Sequence, residues 1–275
     1  MDVSLSSAFP GFMLQLAGQV PLLLGGLSAG ILGGYLGIGG GIVVMPLLRF
    51  GLGMAPASAA GTCVLAVFFT TFGGAYRHAR LGHIHFSSLV PVVVPGVAAA
   101  ALFSFVFQSL AVRGRWLDLG LGLVFAAVSL RMMVEGLSGG KAASSEATGG
   151  NVLRGGPGQK AVVGIAGGIL PGLLGIGTGG ILVPSFSLWL KTSIKTAAAA
   201  SLACFCLNAL VSATFKYVQG YVELSVALPV CLGTLVGAMM GAGLNNRSRP
   251  GTIKVLFGAV FLCVSVRFIL SFLGR

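Results

Sequence analysis

The sequence predicts an all-α polytopic membrane protein with two inverted-topology repeats. Each repeat is a glycine-tipped re-entrant or broken hairpin followed by three transmembrane helices. Three observations carry this. The chain is 56% hydrophobic and only 8% charged, with mean hydropathy +1.00, whereas a soluble domain carries about a quarter charged residues. Its apolar stretches are long and continuous, which suits helices rather than the alternation of a barrel. One glycine-rich phrase is written twice, as YLGIGGGIVVMP from Tyr35 to Pro46 and LLGIGTGGILVP from Leu173 to Pro184, 138 residues apart.

The repeat extends beyond the phrase. At the same offset Gly82-His83-Ile84 meets Gly220-Tyr221-Val222, Pro91 meets Pro229 and Gly120 meets Gly258. The expected units are a first repeat over 1–136, a polar linker over 137–160 and a second repeat over 161–275. The linker is rich in Gly and Ser, a mobile composition. The start, MDVSLSSAFP, has no basic n-region, so no cleaved leader is expected there.

The elements follow from the charges. Ala161 to Leu190 is 30 uncharged residues, too few for two crossings of about 20 residues each and more than one needs. That length suits a hairpin of two short helices turning at Gly175-Ile176-Gly177-Thr178-Gly179. The uncharged stretch in the first repeat, Val3 to Leu48, is longer, so its first helix can reach further. Three spans follow each hairpin, over 53–76, 86–112 and 116–135, then 196–215, 222–245 and 254–273.

Charge then sets orientation. If each hairpin makes no net crossing, Arg77, Arg80, Arg131, Lys141, Arg154, Lys160, Lys191, Lys195, Arg247, Arg249 and Lys254 share one side. Arg49, Arg113, Arg115, Lys216, Arg267 and Arg275 share the other, a split of 11 against 6. Counting each hairpin as one crossing gives 9 against 8, which orients nothing. The positive-inside tendency favours the first count and inverts the halves, with the linker cytoplasmic and both termini outside. Hairpins that span fully, as two crossings each, have the same parity and stay open.

Inverted repeats with interrupted helices are an architecture of secondary transporters, whose substrate sits near the midplane. Tip glycines let the backbone approach a ligand closely. A helix starting at the tip offers unpaired N–H groups and the positive end of a dipole, which suits an anion. The acids Asp2, Asp118, Glu135, Glu146 and Glu223 all fall at segment ends or in loops. A mid-membrane free of carboxylates disfavours a cation site and the usual proton relay. The net charge of +12 fits positive-inside loops and also attraction of an anionic substrate. Basic residues scattered singly give no nucleic-acid patch.

The substrate-binding candidates are Gly37, Gly39, Gly40, Gly41, Gly175, Gly177, Thr178 and Gly179, with the hydroxyls of Thr62 and Ser201 early in the next span. Asn208 lies far from any charge, with Thr70 as its counterpart in the first repeat. Each also has a plainer role: glycines as packing surfaces, hydroxyls bonding their own helix, Asn208 joining two helices. Arg77, His78 and Lys216 end spans and are read as a vestibule, or as interface markers. His78 is the best-placed histidine for proton coupling.

The duplicated G-x-G-G-G-x-x-x-x-P phrase, Gly37 through Pro46 and Gly175 through Pro184, resembles that of the TauE/SafE family of sulfite and organosulfonate transporters. The small-residue stretches Ala60-Gly61-Thr62-Cys63 and Ala199-Ala200-Ser201-Leu202 add to the likeness, which covers nearly the whole chain apart from the linker. The resemblance implies transport of small sulfur-containing anions such as sulfite, sulfoacetate or related sulfonates across the cytoplasmic (inner) membrane. This sequence departs from the family pattern at Thr178, Cys63 and Ala200. The residues alone reach only a small anion, moved by alternating access as one half rocks against the other.

No catalytic constellation is present, so no enzyme is expected. No cofactor or metal site is expected, because the cysteines Cys63, Cys204, Cys206, Cys231 and Cys263 lack His or carboxylate at ligand spacing. They read as small buried hydrophobes without a disulfide. The expected partners are a small anion and the lipid bilayer, and a homo-oligomer stays open. The alternatives are a passive anion channel and a membrane assembly protein whose glycines only pack.

Overall fold

A computed structural model describes residues 4–82, 84, 86–137, 155–177, 182–183, 185–190, 192, 194–244 and 251–274. Thr178, Gly179 and the linker residues 138–154 lie outside the described residues. The described residues are predominantly helical, with short turns between the helices. The first repeat comprises α1 (Ser4–Leu36), α2 (Gly41–Pro46), α3 (Pro56–Arg80), α4 (Phe86–Ala111) and α5 (Gly114–Leu137). The second comprises α6 (Pro157–Leu174), α7 (Ile194–Val218), α8 (Leu224–Leu244) and α9 (Gly251–Phe272). A π-helical turn follows each hairpin, Leu47–Gly51 and Ser185–Trp189. Among the described residues, six helices are long and apolar enough to cross a membrane.

The helix ends have local causes. Pro56 and Pro157 open α3 and α6 at the first helical position, where a missing N–H costs nothing and φ is preset. Leu137 still belongs to α5 and Pro157–Lys160 already to α6, so the ends of the predicted linker are helical. The six predicted spans match α3, α4, α5, α7, α8 and α9 to within a few residues. The largest extensions carry α3 to Arg80 and α7 to Val218, past the charges expected to end them.

The two hairpins have unequal limbs. α1 has 33 residues and α6 has 18, about 50 and 27 Å at 1.5 Å per residue. The return limbs are short. Each folds back along the limb that led to the tip. Leu47 packs on Gly25, Leu182 on Gly167 and Leu190 on Gly155, just before α6 begins. The second hairpin therefore ends near where it began, whereas the first turns back only part of the way along α1.

Glycine stripes bring helices into backbone contact. On α1, Gly26, Gly30 and Gly34 face Val230, Thr234 and Ala238 of α8. From the other side Gly233, Gly237 and Gly241 face Leu23, Leu27 and Ile31. The numbers rise together, so α1 and α8 run parallel, four residues per contact. Gly164, Gly168 and Gly172 of α6 meet Val92, Gly96 and Phe103 of α4, also in parallel. The α1–α8 and α4–α6 pairs are each other's image when the two repeats are exchanged.

The last helices of the repeats pair with each other. Trp116 lies 5.7 Å from Phe272, Ser265 Oγ donates to Gly122 O at 2.8 Å, and Ser129 Oγ donates to Gly258 O at 2.5 Å. These contacts run in opposite order along the chain, so α5 and α9 are antiparallel. Their ends are tied by charge. Arg49 Nε and Nη2 donate to Asp118 Oδ1 and Oδ2 at 3.1 and 2.8 Å, and Ser271 Oγ donates to Asp118 Oδ2 at 2.8 Å. Asp118 lies at a segment end as expected, yet it is 2% exposed rather than solvated.

Candidate functional site

The candidate site starts with the first tip. α1 stops because Gly37, Gly39 and Gly40 have φ of 72°, 79° and 68°, a region L-residues with side chains rarely adopt. The chain thereby reverses within four residues. Backbone left at this depth needs partners, and the turn provides them. Ile38 N and Gly39 N donate to Gly33 O, Gly41 N to Gly39 O, and Val43 N and Val44 N to Gly40 O, at 2.8–3.4 Å. Most N–H groups expected to face a ligand at this tip are therefore used within the turn. The second tip begins with Gly175 at φ 67°, its N–H donating to Pro171 O at 3.2 Å. Thr178 and Gly179 of that tip lie outside the described residues.

The two tips meet. A Cβ on Gly41 would lie 2.7 Å from Gly177 N, and one on Gly177 would overlap the Ile38 carbonyl oxygen. The shoulders repeat by symmetry: Gly37 abuts Ala198 of α7, and Gly175 abuts Ala60 of α3. Gly39 faces Phe205 and Thr71, and Gly40 faces Thr70 and the Ala29 carbonyl. All these glycines are buried. The junction is closed, glycine against backbone, with no side chain between the tips at the described residues.

The structure brings together Gly37, Gly39, Gly40, Gly41, Gly175, Gly177, Thr70 and Ser201. Ser201 Oγ donates to Gly37 O at 3.3 Å. Thr70 Oγ1 donates to Ala66 O at 2.8 Å, the self-bonding of a helical threonine. Thr62 lies elsewhere: its Oγ1 accepts from Glu223 N at 3.1 Å and holds the start of α8. Asn208 packs across Gly96 of α4, 1% exposed, with no hydrogen-bond partner for Oδ1. Sequence reading missed Ala60, Ala198 and Phe205. The first two stand at the 138-residue offset and were findable from it.

The three residues read as a vestibule separate. Arg77 is exposed, beside Gly243. His78 is buried, 2% exposed. Lys216 is completely buried. Its Nζ donates to Pro171 O at 2.8 Å, Gly172 O at 2.7 Å and Ser212 Oγ at 2.9 Å, and lies 4.3 Å from the centre of the Phe107 ring. The side chain turns inward because the carbonyl end of α6 is the negative end of a helix dipole with acceptor capacity left, at Gly172 O and beside the bonds Pro171 O takes from Gly175 N and Ser212 Oγ. Hydrogen bonds to a charged donor contribute on the order of 1.5–3 kcal/mol each, against a desolvation cost of several kcal/mol.

Cys63, Cys204 and Cys231 are buried, Cys206 is half-buried, and Cys263 is exposed on α9. All five are free thiols. Cys63 Sγ points at Gly41 O, 3.6 Å away, so this departure from the family pattern touches the first tip. Among the described residues no cluster of His, Cys, Asp or Glu is arranged to hold a metal.

Residues 22–268 match the family model described as sulfite exporter TauE/SafE. The chain is 27% identical to a probable membrane transporter protein, YunE, of Bacillus subtilis, across 91% of this chain and 97% of that one. It is 34% identical to a probable membrane transporter protein of Xylella fastidiosa, covering 58% of this chain and 59% of the relative. A segment of 59 residues is 44% identical to sulfite exporter TauE/SafE family protein 1 of Arabidopsis thaliana, 22% of this chain and 13% of that one. No solved structure matches the chain.

Proposed function

Because the chain belongs to the TauE/SafE sulfite exporter family, we propose that it is a secondary transporter carrying small sulfur-containing anions: sulfite, sulfoacetate or related organosulfonates. Membership makes it a multi-pass membrane transporter; the substrate and the cycle are our reading. The observation that carries it is the junction of two buried glycine tips, one from each repeat, at Gly41 and Gly177. In this reading the anion enters when the tips part, held by tip N–H groups that leave their turn bonds and by the nearby hydroxyls of Thr70 and Ser201, with Thr178 a further candidate from the sequence alone.

The repeats are read as inverted about the membrane plane, with the linker 137–160 cytoplasmic, both termini outside and the whole in the cytoplasmic membrane. The antiparallel α5–α9 pair supports this, because equivalent helices of two same-facing repeats would run parallel. The second hairpin's return to its entry end supports the odd crossing count that the charge split favours. Closed tips favour alternating access over a passive channel, which needs a continuous path. Proton coupling, with His78 as its carrier, belongs to the same reading.

The test is sulfite counterflow in proteoliposomes, with sulfate, chloride and a small sulfonate as competitors. Transient accumulation of labelled sulfite against an unlabelled internal pool is the expected result, and a pH gradient then tests coupling. No exchange of any of these anions would overturn the reading.

A further inference from the structure

Lys216 is buried inside the protein, and its Nζ donates to three neutral acceptors, Pro171 O, Gly172 O and Ser212 Oγ, the number an ammonium can serve. None reaches a carboxylate, so the charge is not cancelled by a partner. The Phe107 ring closes the remaining side, where a quadrupole favours a cation and water has little room.

The repeat shows that the hydrogen bonds alone do not require this charge. The counterpart of Pro171 in the first repeat is Gly33, and its carbonyl is satisfied by main-chain donors, Ile38 N and Gly39 N. The Pro171 carbonyl likewise accepts from main chain, Gly175 N at 3.2 Å, and from Ser212 Oγ at 2.6 Å, yet takes the Lys216 ammonium as well. The counterpart of Lys216 itself is His78, also buried. Pro171 and Gly172 lie within one turn of Gly175, so the carbonyl end of α6 points its negative dipole end at the second tip. An anion arriving there would be repelled by uncovered carbonyls.

We propose that Lys216 is the fixed counter-charge of the anion site, covering the carbonyl end of α6 so that the Gly175–Gly177 tip receives an anion. This rests on the anion-transport reading above. It makes Lys216 a residue that sets affinity and valence preference, not a vestibule group. The ammonium stays on its three acceptors and acts on the anion through the field.

The test compares Lys216→Gln, Lys216→Arg and Ser212→Ala with the unaltered protein. Anion affinity is read from the dose-dependent rise in melting temperature in detergent, using sulfate and thiosulfate as dianions and chloride and methanesulfonate as monoanions. A unit charge acting over about 8 Å at an effective dielectric near 20 predicts roughly thirtyfold weaker monoanion binding in Lys216→Gln, and a larger loss for dianions. Lys216→Arg is expected to retain the dianion preference. Ser212→Ala, which removes two hydrogen bonds, one from Lys216 Nζ and one to Pro171 O, but no charge, is expected to melt lower and bind as before. The proposal is overturned if Lys216→Gln melts lower yet binds every anion as before, or if its losses ignore valence and match those of Ser212→Ala. If the unaltered protein binds none of the anions, the transport reading falls and this proposal with it.

Discussion

Gly177→Ala isolates the contact between the two tips. Gly177 is absent from the glycines with positive φ, so alanine there brings no backbone strain, unlike alanine at Gly39 with φ 79°. The whole cost lies across the junction, where the new methyl would overlap the Ile38 carbonyl oxygen. That partner is backbone and cannot swing aside. The tips would have to separate by roughly 1 Å to restore van der Waals distance, and overpacking of this kind costs about 1–3 kcal/mol. Charged to the closed state alone, that shifts the closed–open balance by roughly 5- to 150-fold. The assay is sulfite counterflow beside the melting temperature of the purified protein. Lost or uncoupled exchange in a protein that stays monodisperse is the expected result. Exchange and melting both unchanged would refute the reasoning, because the tips would then not touch in any populated state.

Gly30→Val places a branched side chain on the Thr234 carbonyl in the α1–α8 stripe; loss of monodisperse protein by size exclusion is expected, whatever the anion present. Asp118→Asn removes the acid that receives Arg49 in two hydrogen bonds; breaking a buried pair costs about 3–5 kcal/mol, so the melting temperature should fall at every salt concentration tested. Thr62→Ala removes the acceptor for Glu223 N, a cap worth roughly 0.5–2 kcal/mol; stability should drop while anion competition in counterflow keeps its order.

The spans were legible because charges bracket apolar runs and the bilayer fixes their length. The hairpins were legible because 30 uncharged residues fit neither one crossing nor two. The longer first helix of the first hairpin was legible in the uncharged stretch Val3 to Leu48, whereas the short return limbs were not, since length alone does not locate the bend. Lys216 was misplaced for a definite reason. A lysine near the end of an apolar run looks the same whether it reaches the headgroups or finds the carbonyl end of a distant helix, and Pro171 is 45 residues away. Thr62 and Thr70 are likewise one residue type with two uses, one holding the start of α8 and one bonding its own helix. The tip N–H groups expected to face a ligand turned inward because a turn at membrane depth must satisfy its own backbone.

Glycine carried two meanings in this chain, packing and site, and the structure makes them parts of one device. Gly172 packs α6 onto Phe103 of α4, and its carbonyl receives Lys216, three residues before the second tip. The stripes that bring helices closest together join α1 to α8 and α4 to α6, each pair drawing one helix from each repeat. Units locked by backbone contact move together, because packed interfaces are not continuously deformable. In an alternating-access cycle the rocking bodies are therefore these mixed pairs, each bearing one glycine tip, rather than the two sequence halves. The surfaces that part in such a cycle include the tips and the shoulders at Ala60 and Ala198, where glycine meets a small residue.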